Sequence, residues 1–205
     1  MRVRALSWLL ALLAAVTLLR AGVPLSAQAA GSDPAPNLNV AALETDFLMG
    51  MIPHHRSAIM MAEMATMKAT RPELRELAQK EISEQRGEIE KMTHYLRDWY
   101  GMDAPEAMMM TPDMMMKMDM PMLHGLMPDD AAQMARLEAA TGEEFDIEFM
   151  SSMTKHHAMA IMMASTVLMN GHHRDLIELA ENITMSQTEE IHQMGLWLKD
   201  WYGLA

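Results

Sequence analysis

Two pairs of adjacent histidines stand among methionines in this sequence. The first pair is His54 and His55, and the second is His156 and His157. Imidazole nitrogen binds copper, zinc, iron and nickel, whereas thioether sulfur favours Cu(I). The chain has 28 methionines in 205 residues and no cysteine, so any sulfur ligand is a thioether. Together these residue types indicate a site for copper, with silver as the alternative soft ion.

The histidine pairs belong to a longer internal repeat with a constant offset of 102 residues, the distance from His54 to His156. The matched residues include Phe47 and Phe149, Gln85 and Gln187, Glu88 and Glu190, and Gly101 and Gly203. A unit that recurs in this way is expected to fold as the same supersecondary element twice. Each copy therefore supplies one set of candidate ligands.

Helical geometry separates the two members of each pair, because successive residues on a helix point about 100° apart. One ion is therefore not expected to take both neighbours. A stronger arrangement combines one imidazole, a thioether one turn away such as Met51 or Met153, and a carboxylate from the paired helix. The candidate ligands are His54, His55, Met51, Met61 and Glu88, with His156, His157, Met153, Met163 and Glu190 in the second unit.

The same residues fit another interpretation, in which each set of His, Glu and Gln is a buried hydrogen-bonded network that fixes the helix register. The second unit has Lys155 where the first has Pro53, and a lysine beside His156 is expected to repel a cation. His172 and His173 have no equivalents in the first unit. They are predicted to form a solvated polar turn, with a surface Cu(II) or Ni(II) site as the alternative.

A second group of methionines follows the opposite face of the first helix, since Met60, Met64 and Met67 are spaced at i, i+4 and i+7. Met162 and Met169 repeat the pattern in the second unit, and Met159 lies one turn earlier. Core packing does not explain thioethers that face outward. Two explanations stay open: an oligomer interface, or a ladder of thioethers for a soft metal.

Between the two units, methionine stands at every second residue from Met114 through Met116, Met118 and Met120 to Met122, and residue 115 is also methionine. In a flexible chain, two or three of these sulfurs can wrap around one Cu(I) ion, so this segment is predicted to bind metal. The alternative is a sacrificial oxidation sink, since methionine sulfoxide forms reversibly.

Four long helices and one short helix are expected to position these residues. The predicted helices cover residues 45–68, 72–100, 129–140, 141–169 and 175–202. Pro53 is expected to bend the first helix or to delay its start, because it has no N–H donor. Thr141 and Glu144 have the spacing of a capping box. The predicted fold class is all-α: a ferritin-like four-helix bundle of two antiparallel helix hairpins joined by a long Met-rich crossover.

The predicted domain organisation starts with a signal peptide over residues 1–29. The later segments are a flexible lead-in over 30–43, a first hairpin over 44–101, the Met-rich crossover with its short helix over 102–140, and a second hairpin over 141–205. Arg2 and Arg4 precede an apolar run that Arg20 ends, and residues 27–29 fit the small-residue rule for cleavage. The run is too short for a membrane anchor. A periplasmic or secreted protein is therefore expected.

The formal net charge is −12, and cleavage would remove three arginines and leave −15. Such a polyanion is not expected to bind nucleic acid or, once the signal peptide is gone, a membrane surface. Metal ions are the expected partners, together with a protein that donates or accepts the metal. The outward methionines add oligomerisation as an expectation.

An enzyme function has weaker support in the sequence. Di-iron carboxylate bundles use Glu-x-x-His on two helices and glutamates from the other two, but only Glu189 and His192 have that spacing. The enzyme alternative is a ferritin-like metal oxidase that would use His54, Glu88, His156 and Glu190. No nucleotide-binding loop or Ser-His-Asp order is recognisable.

The run Met51-Ile-Pro-His54-His55, followed by Gln85, Glu88 and Ile89, resembles the domain-of-unknown-function 305 family. The resemblance covers both units. It implies a ferritin-like helical bundle, secreted or periplasmic, and a copper-binding role as in some members. The predicted function is an extracytoplasmic protein that sequesters or transfers Cu(I) or Ag(I) and is not an enzyme. A metal oxidase and a helical interaction module with a Met-rich oligomer interface are the alternatives.

Overall fold

The computed structural model of the chain describes residues 37–111 and 130–204. These residues form five helices, which are α1 (Leu38–Lys68), α2 (Pro72–Tyr100), α3 (Asp130–Ala139), α4 (Gly142–Asn170) and α5 (Arg174–Tyr202). Helix α1 packs against α2, α4 packs against α5, and α1 also packs against α4. The predicted all-α bundle is confirmed. None of the helices in these two ranges has the length and apolar character needed to cross a membrane.

Short connections hold the two helices of each hairpin antiparallel. Residues 69–71 join α1 to α2, and residues 171–173 join α4 to α5. Helices α2 and α5 both end at a glycine with left-handed backbone, Gly101 at φ 63° and Gly203 at φ 67°. Glycine adopts this conformation without the Cβ clash that other residues meet, so the predicted ends of both helices are well determined by sequence.

Helix α1 begins at Leu38, so residues 38–43 of the predicted flexible lead-in are helical. The Asn37 side chain accepts hydrogen bonds from the backbone N–H groups of Asn39 and Val40, each at 3.1 Å. This contact satisfies two donors that a helix start otherwise leaves free. Leu43 then packs against the core. The cap and the buried contact together explain the earlier start.

Helix α1 also continues through Pro53, so the predicted late start near the histidines is wrong. The residues on both sides of Pro53 are buried. Packing of a helix face contributes more to stability than one backbone hydrogen bond. The bundle therefore retains the helix in spite of the missing donor.

Replacement of Pro53 by alanine is expected to raise the free energy of unfolding by about 1–2 kcal/mol, after allowance for lost packing of the ring. The new N–H group can donate to the carbonyl of Met49, one turn earlier. Urea denaturation of the metal-free protein measures the change. The reciprocal variant, Lys155→Pro, is expected to lose about 3 kcal/mol. Equal stability of the wild type and Pro53→Ala would contradict this account.

The predicted capping box at the start of α4 does not form. Thr141 is the residue before α4, but its side chain makes no capping hydrogen bond. Thr141 and Glu144 are both exposed, so water is available to the backbone donors at this end. The two residue types have the right spacing, but the spacing alone does not produce the contact.

The core consists of two hydrophobic clusters. The Met51 cluster includes Phe47, Met51, Leu96, Met163 and Ile183. The Met61 cluster includes Met61, Leu74, Phe149, Met153 and Met194. The Met51 cluster combines the early part of α1 with the late part of α4, and the Met61 cluster does the reverse. Helices α1 and α4 are therefore antiparallel, and their midpoints meet between the clusters.

Candidate metal centre

A layer of polar side chains lies between the two clusters, and we call it the histidine layer. On every long helix, its members stand between residues of the Met51 cluster and residues of the Met61 cluster. Its members are His54, His55, Ser57, Glu81, Gln85, Glu88, His156, His157, Gln187 and Glu190. Burial of polar groups costs free energy unless they are hydrogen-bonded or bind a ligand. The contacts within the layer therefore indicate its role.

His54 and His156 meet at the interface of α1 and α4, with their ring centroids 3.6 Å apart. The Ser57 hydroxyl donates to the backbone carbonyl of His54 at 2.8 Å. Its oxygen, 2.8 Å from Nε2 of His156, must then accept a hydrogen bond from the N–H group at that position. Nδ1 of His156 is left as a free lone pair. Neither ring nitrogen of His54 has a hydrogen-bond partner in the described ranges.

Both of these imidazoles are uncharged at neutral pH. Burial, followed by the neighbouring imidazoles, lowers the pKa of His54 and of His156 well below the ordinary value for histidine. Each ring also lies near the backbone of the other histidine, which raises the pKa by less and does not reach hydrogen-bond geometry. A neutral imidazole is the form that binds metal.

The other histidine of each pair is bonded to a carboxylate of its own hairpin. Nε2 of His55 lies 2.7 Å from Glu88, and Nε2 of His157 lies 2.9 Å from Glu190. An ionised carboxylate only accepts, so each Nε2 carries the proton and each Nδ1 does not when the ring is neutral. Nδ1 of all four layer histidines is buried and lacks a hydrogen-bond partner among the residues described.

A third carboxylate, from Glu81 on α2, reaches the second of these pairs. Its Oε2 lies 3.6 Å from Nε2 of His157. Glu81, His157 and Glu190 each offer one ligand atom, and the three atoms lie within 4.8 Å of one another. No other three His, Asp or Glu side chains in residues 37–111 and 130–204 have this spacing.

The pKa values of the two carboxyl groups of this set are shifted in opposite directions. Burial, followed by the negative charge of Glu190, raises the pKa of Glu81 well above its ordinary value. Burial would also raise the pKa of Glu190, but hydrogen bonds from His157 and Glu81 outweigh it and lower the pKa to about 2. These opposite directions favour a proton on Glu81 and an ionised Glu190.

Lys80 lies on the solvent side of the ionised carboxylate. Its Nζ is 2.7 Å from Oε1 of Glu190 and 2.8 Å from Oε2 of Glu84. The Lys80 side chain is 49% exposed, whereas that of Glu190 is 5% exposed. At the 102-residue offset, Asn182 replaces Lys80 and Ile183 replaces Glu81. The two halves of the layer therefore differ in their charged groups.

A family model for the domain of unknown function 305 (DUF305) matches residues 44–198 of this chain. The chain belongs to the DUF305 family. The match includes most of both hairpins and every member of the histidine layer, so the resemblance indicated by the double-histidine motif is confirmed. Comparison with curated proteins gave no match to this DUF305 chain.

Solved structures similar to this DUF305 protein include CopM. CopM in its Ag-bound form is 36% identical, over 78% of this chain and 98% of CopM, with a TM-score of 0.62. The Cu(I)-bound form gives 35% identity over the same shares and the same TM-score. A DUF305 protein from Streptomyces coelicolor, whose name suggests secretion, is 25% identical over 77% of this chain and 91% of its own, with a TM-score of 0.65.

Four candidate thioethers of the DUF305 repeat are buried on the two sides of the histidine layer. Met51 and Met163 belong to the Met51 cluster. Met61 and Met153 belong to the Met61 cluster, and the sulfur of Met61 accepts a hydrogen bond of 3.3 Å from Gln133 of α3. Each side of the layer therefore has one of these four candidate thioethers from each hairpin.

The prediction that Met60, Met64 and Met67 face away from the core is correct only for Met67, which is 77% exposed. Met60 and Met64 are half-buried and pack against the Met61 cluster. Helix α3 packs against α1 and contributes Met134 to that cluster. The repeat predicts contacts between the four long helices only, so it does not predict this additional contact of α1. Met159, also predicted to face outward, is buried in the Met51 cluster.

The alternating methionines of the crossover, from Met114 to Met122, lie outside the described residues. The described start of the crossover is attached to α1 through Arg56. Its guanidinium donates to the backbone carbonyls of Pro105 and Ala107, the second at 2.8 Å. The crossover therefore leaves the bundle from a position fixed near the histidine-bearing part of α1.

The turn between α4 and α5 is not the solvated turn that was predicted. Buried Glu44 accepts hydrogen bonds from the backbone N–H groups of His172 and His173, at 2.6 and 2.9 Å, and lies 2.7 Å from Nδ1 of His173. Tyr100 donates to the same carboxylate, and Trp99 stacks on the His173 ring with centroids 4.0 Å apart. The turn is thus held to the start of α1 and the end of α2.

Asp146 makes the equivalent contact at the other end of the bundle. It accepts from the backbone N–H of Thr70 at 2.9 Å, from the Thr70 hydroxyl, and from the Tyr202 hydroxyl at 2.9 Å. Sequence reasoning missed both Glu44 and Asp146. The available signal was an acidic residue at the same position of each unit, 102 residues apart.

Three charged or titratable residues that the sequence analysis singled out lie at the surface: Lys155, Glu189 and His192. Lys155 is exposed, so its ammonium is in solvent and does not face the buried histidine next to it. Glu189 and His192 are exposed on α5, so this Glu-x-x-His pair does not face the bundle interior. Glu88 and Glu190 bond to the second member of each histidine pair, whereas the oxidase alternative named the first members, His54 and His156.

Proposed function

We propose that this DUF305 protein is an extracytoplasmic binder of Cu(I) and Ag(I) that sequesters the ion or hands it to another protein without catalysing a reaction. One observation carries the proposal: the four layer imidazoles keep a buried Nδ1 without a hydrogen-bond partner in the described chain. A buried unsatisfied nitrogen costs about 1–3 kcal/mol. A bound metal ion would remove that cost, whereas a network kept only for helix register would not need such nitrogens.

The sulfur and nitrogen donors near the layer favour a soft ion. Neutral imidazole and thioether together select Cu(I) over harder cations. Glu88 and Glu190, bonded to Nε2 of their histidines, would orient the two rings and raise the basicity of the opposite nitrogens. The proposed ligands are His54, His55, His156 and His157, with Met51, Met61, Met153 and Met163 as the adjacent thioethers.

The solved relatives support the same class of ion. CopM has been crystallised with Ag, Cu(I) and Cu(II), and this chain aligns with nearly the whole of CopM. The apolar N-terminal run and its small-residue cleavage motif support export. The Met114–Met122 segment would then exchange ions with a donor or acceptor protein, because weak thioether ligands release metal readily.

The double variant His54→Leu/His156→Leu is expected to lower Cu(I) affinity by about 100-fold, because it removes two uncharged imidazole ligands. Anaerobic titration of the full chain against a Cu(I) chelator measures the affinity. The matched control is His94→Leu/His192→Leu, which changes two exposed histidines and is expected to bind as the wild type does.

Equal Cu(I) affinity of the layer variant and the wild type would exclude the histidine layer as the binding site. Deletion of residues 112–122, which keeps the buried Met110, separately tests the crossover, and we expect it to reduce the number of bound ions without weakening the layer site. Sustained oxygen consumption after addition of Fe(II) or Cu(I) would contradict the non-catalytic part of the proposal.

A further inference from the structure

We infer that Glu81, His157 and Glu190 form a second metal site, which takes a divalent first-row cation such as Zn²⁺ rather than Cu(I). The three residues come from α2, α4 and α5, and all are at least nine-tenths buried. The site uses Nε2 of His157, whereas the proposed Cu(I) centre uses the Nδ1 atoms. The inference therefore does not depend on the proposed function.

The donor set decides the class of ion. Imidazole with two carboxylates suits Zn²⁺ and related divalent ions, whereas Cu(I) prefers thioether. Metal bonds of about 2.1 Å in a tetrahedral site place ligand atoms about 3.4 Å apart. Nε2 of His157 lies 2.9 Å from Glu190 and 3.6 Å from Glu81, on either side of that value. Small side-chain shifts would therefore complete the coordination.

The position of Lys80, between Glu190 and solvent, indicates the route by which an ion would reach this site. Its ammonium already places a positive charge beside the Glu190 carboxylate, and the Lys80 side chain is half exposed. An incoming dication would displace the ammonium from Glu190. Lys80 would keep its second partner, Glu84, which lies 2.8 Å from Nζ on the exposed side. The displaced lysine therefore stays paired, which lowers the cost of opening the site.

The difference between the two hairpins argues against a purely structural role for Glu81. The equivalent position in the second unit is Ile183, which packs in the Met51 cluster. Among the residues that the structure describes, no third carboxylate joins the His55–Glu88 pair. The fold thus accepts an apolar residue at this position, whereas a buried carboxyl group is costly even with the hydrogen bond that Glu81 accepts from Gln85. A role as a metal ligand explains why the first hairpin has the Glu81 carboxyl group and the second hairpin does not.

Zn²⁺ calorimetry on the metal-free full chain tests the site. Glu81→Gln and Glu81→Ile are each expected to lower Zn²⁺ affinity by about 10- to 100-fold. Glu81→Ile introduces the residue type that the second unit carries, so folding is expected to survive. Lys80→Gln is expected to raise affinity, because the competing ammonium is removed. Glu76→Gln, an exposed glutamate on the same helix, is the matched control with unchanged binding.

Two crossed measurements separate this site from the proposed Cu(I) centre. His54→Leu/His156→Leu should retain Zn²⁺ binding, and Glu81→Gln should retain Cu(I) binding. If Zn²⁺ binds equally well to the wild type and to both folded Glu81 variants, or more weakly to Lys80→Gln, the site is refuted. Circular dichroism of each variant verifies the fold, and either folded Glu81 variant is sufficient to decide the question.

Discussion

Replacement of Glu44 by alanine is expected to lower the free energy of unfolding by about 3–5 kcal/mol, the range for removing one member of a buried charged network. The change leaves the Tyr100 hydroxyl and the N–H groups of His172 and His173 without their common acceptor. Glu44 is fully buried, so water does not readily replace it. Urea denaturation of the metal-free protein at neutral pH measures the loss.

The control for Glu44 is its counterpart at the other end of the bundle. Asp146→Ala is expected to destabilise by a similar amount, whereas Glu76→Ala, on an exposed surface, is expected to change stability by less than about 0.5 kcal/mol. A loss for Glu44→Ala that is no larger than for Glu76→Ala would contradict the role given to the buried carboxylate.

The contribution of Glu44 also has a defined pH dependence. Burial would raise its pKa, but hydrogen bonds from Tyr100, His173 and the turn backbone outweigh it and leave the pKa below the ordinary 4.5. A lowered pKa in the folded state stabilises the fold above the unfolded value, and the effect is lost as pH falls through the folded value. The stability difference between wild type and Glu44→Gln should therefore be full at neutral pH and shrink below pH 4.5.

The bundle was largely predictable because its helix ends are set by local chemistry. Pro72 and Gly101 bound α2 at the predicted residues, since proline suits a first turn and glycine a left-handed stop. The start of α1 was missed because the cap at Asn37 becomes effective only when Leu43 has a core to pack against. A local sequence signal therefore determines a helix end by itself only when that end needs no tertiary contact.

The site was predictable within a hairpin but not between hairpins. The carboxylates expected beside the histidines are there, because Glu88 and Glu190 lie at core phase on the helix that pairs with each histidine. The contact of His54 with His156 and the approach of Glu81 to His157 depend on how the hairpins dock. The periodicity of one helix contains no information on that docking.

The two interpretations of the histidine layer make opposite predictions about stability. A network that fixes helix register stabilises the fold through its hydrogen bonds, so its loss should destabilise the protein. A metal centre without its ion retains unsatisfied nitrogens, so its replacement by apolar side chains of similar size should stabilise the metal-free protein. His54 and His156 discriminate between these, because three of their four ring nitrogens have no hydrogen-bond partner in the described structure.

We therefore expect His54→Leu/His156→Leu to raise the free energy of unfolding of the metal-free protein by about 1–4 kcal/mol. Urea denaturation without metal and with Cu(I) in excess measures both states. At a free Cu(I) concentration of 100 times the dissociation constant, the wild type should gain about 2.7 kcal/mol, and the variant should gain almost nothing. The control His55→Leu leaves the Glu88 carboxylate without its imidazole and should destabilise the metal-free protein. A lower free energy of unfolding for the double variant would instead support the register-fixing network. Such a loss would mean that the two imidazoles stabilise the metal-free fold through hydrogen bonds.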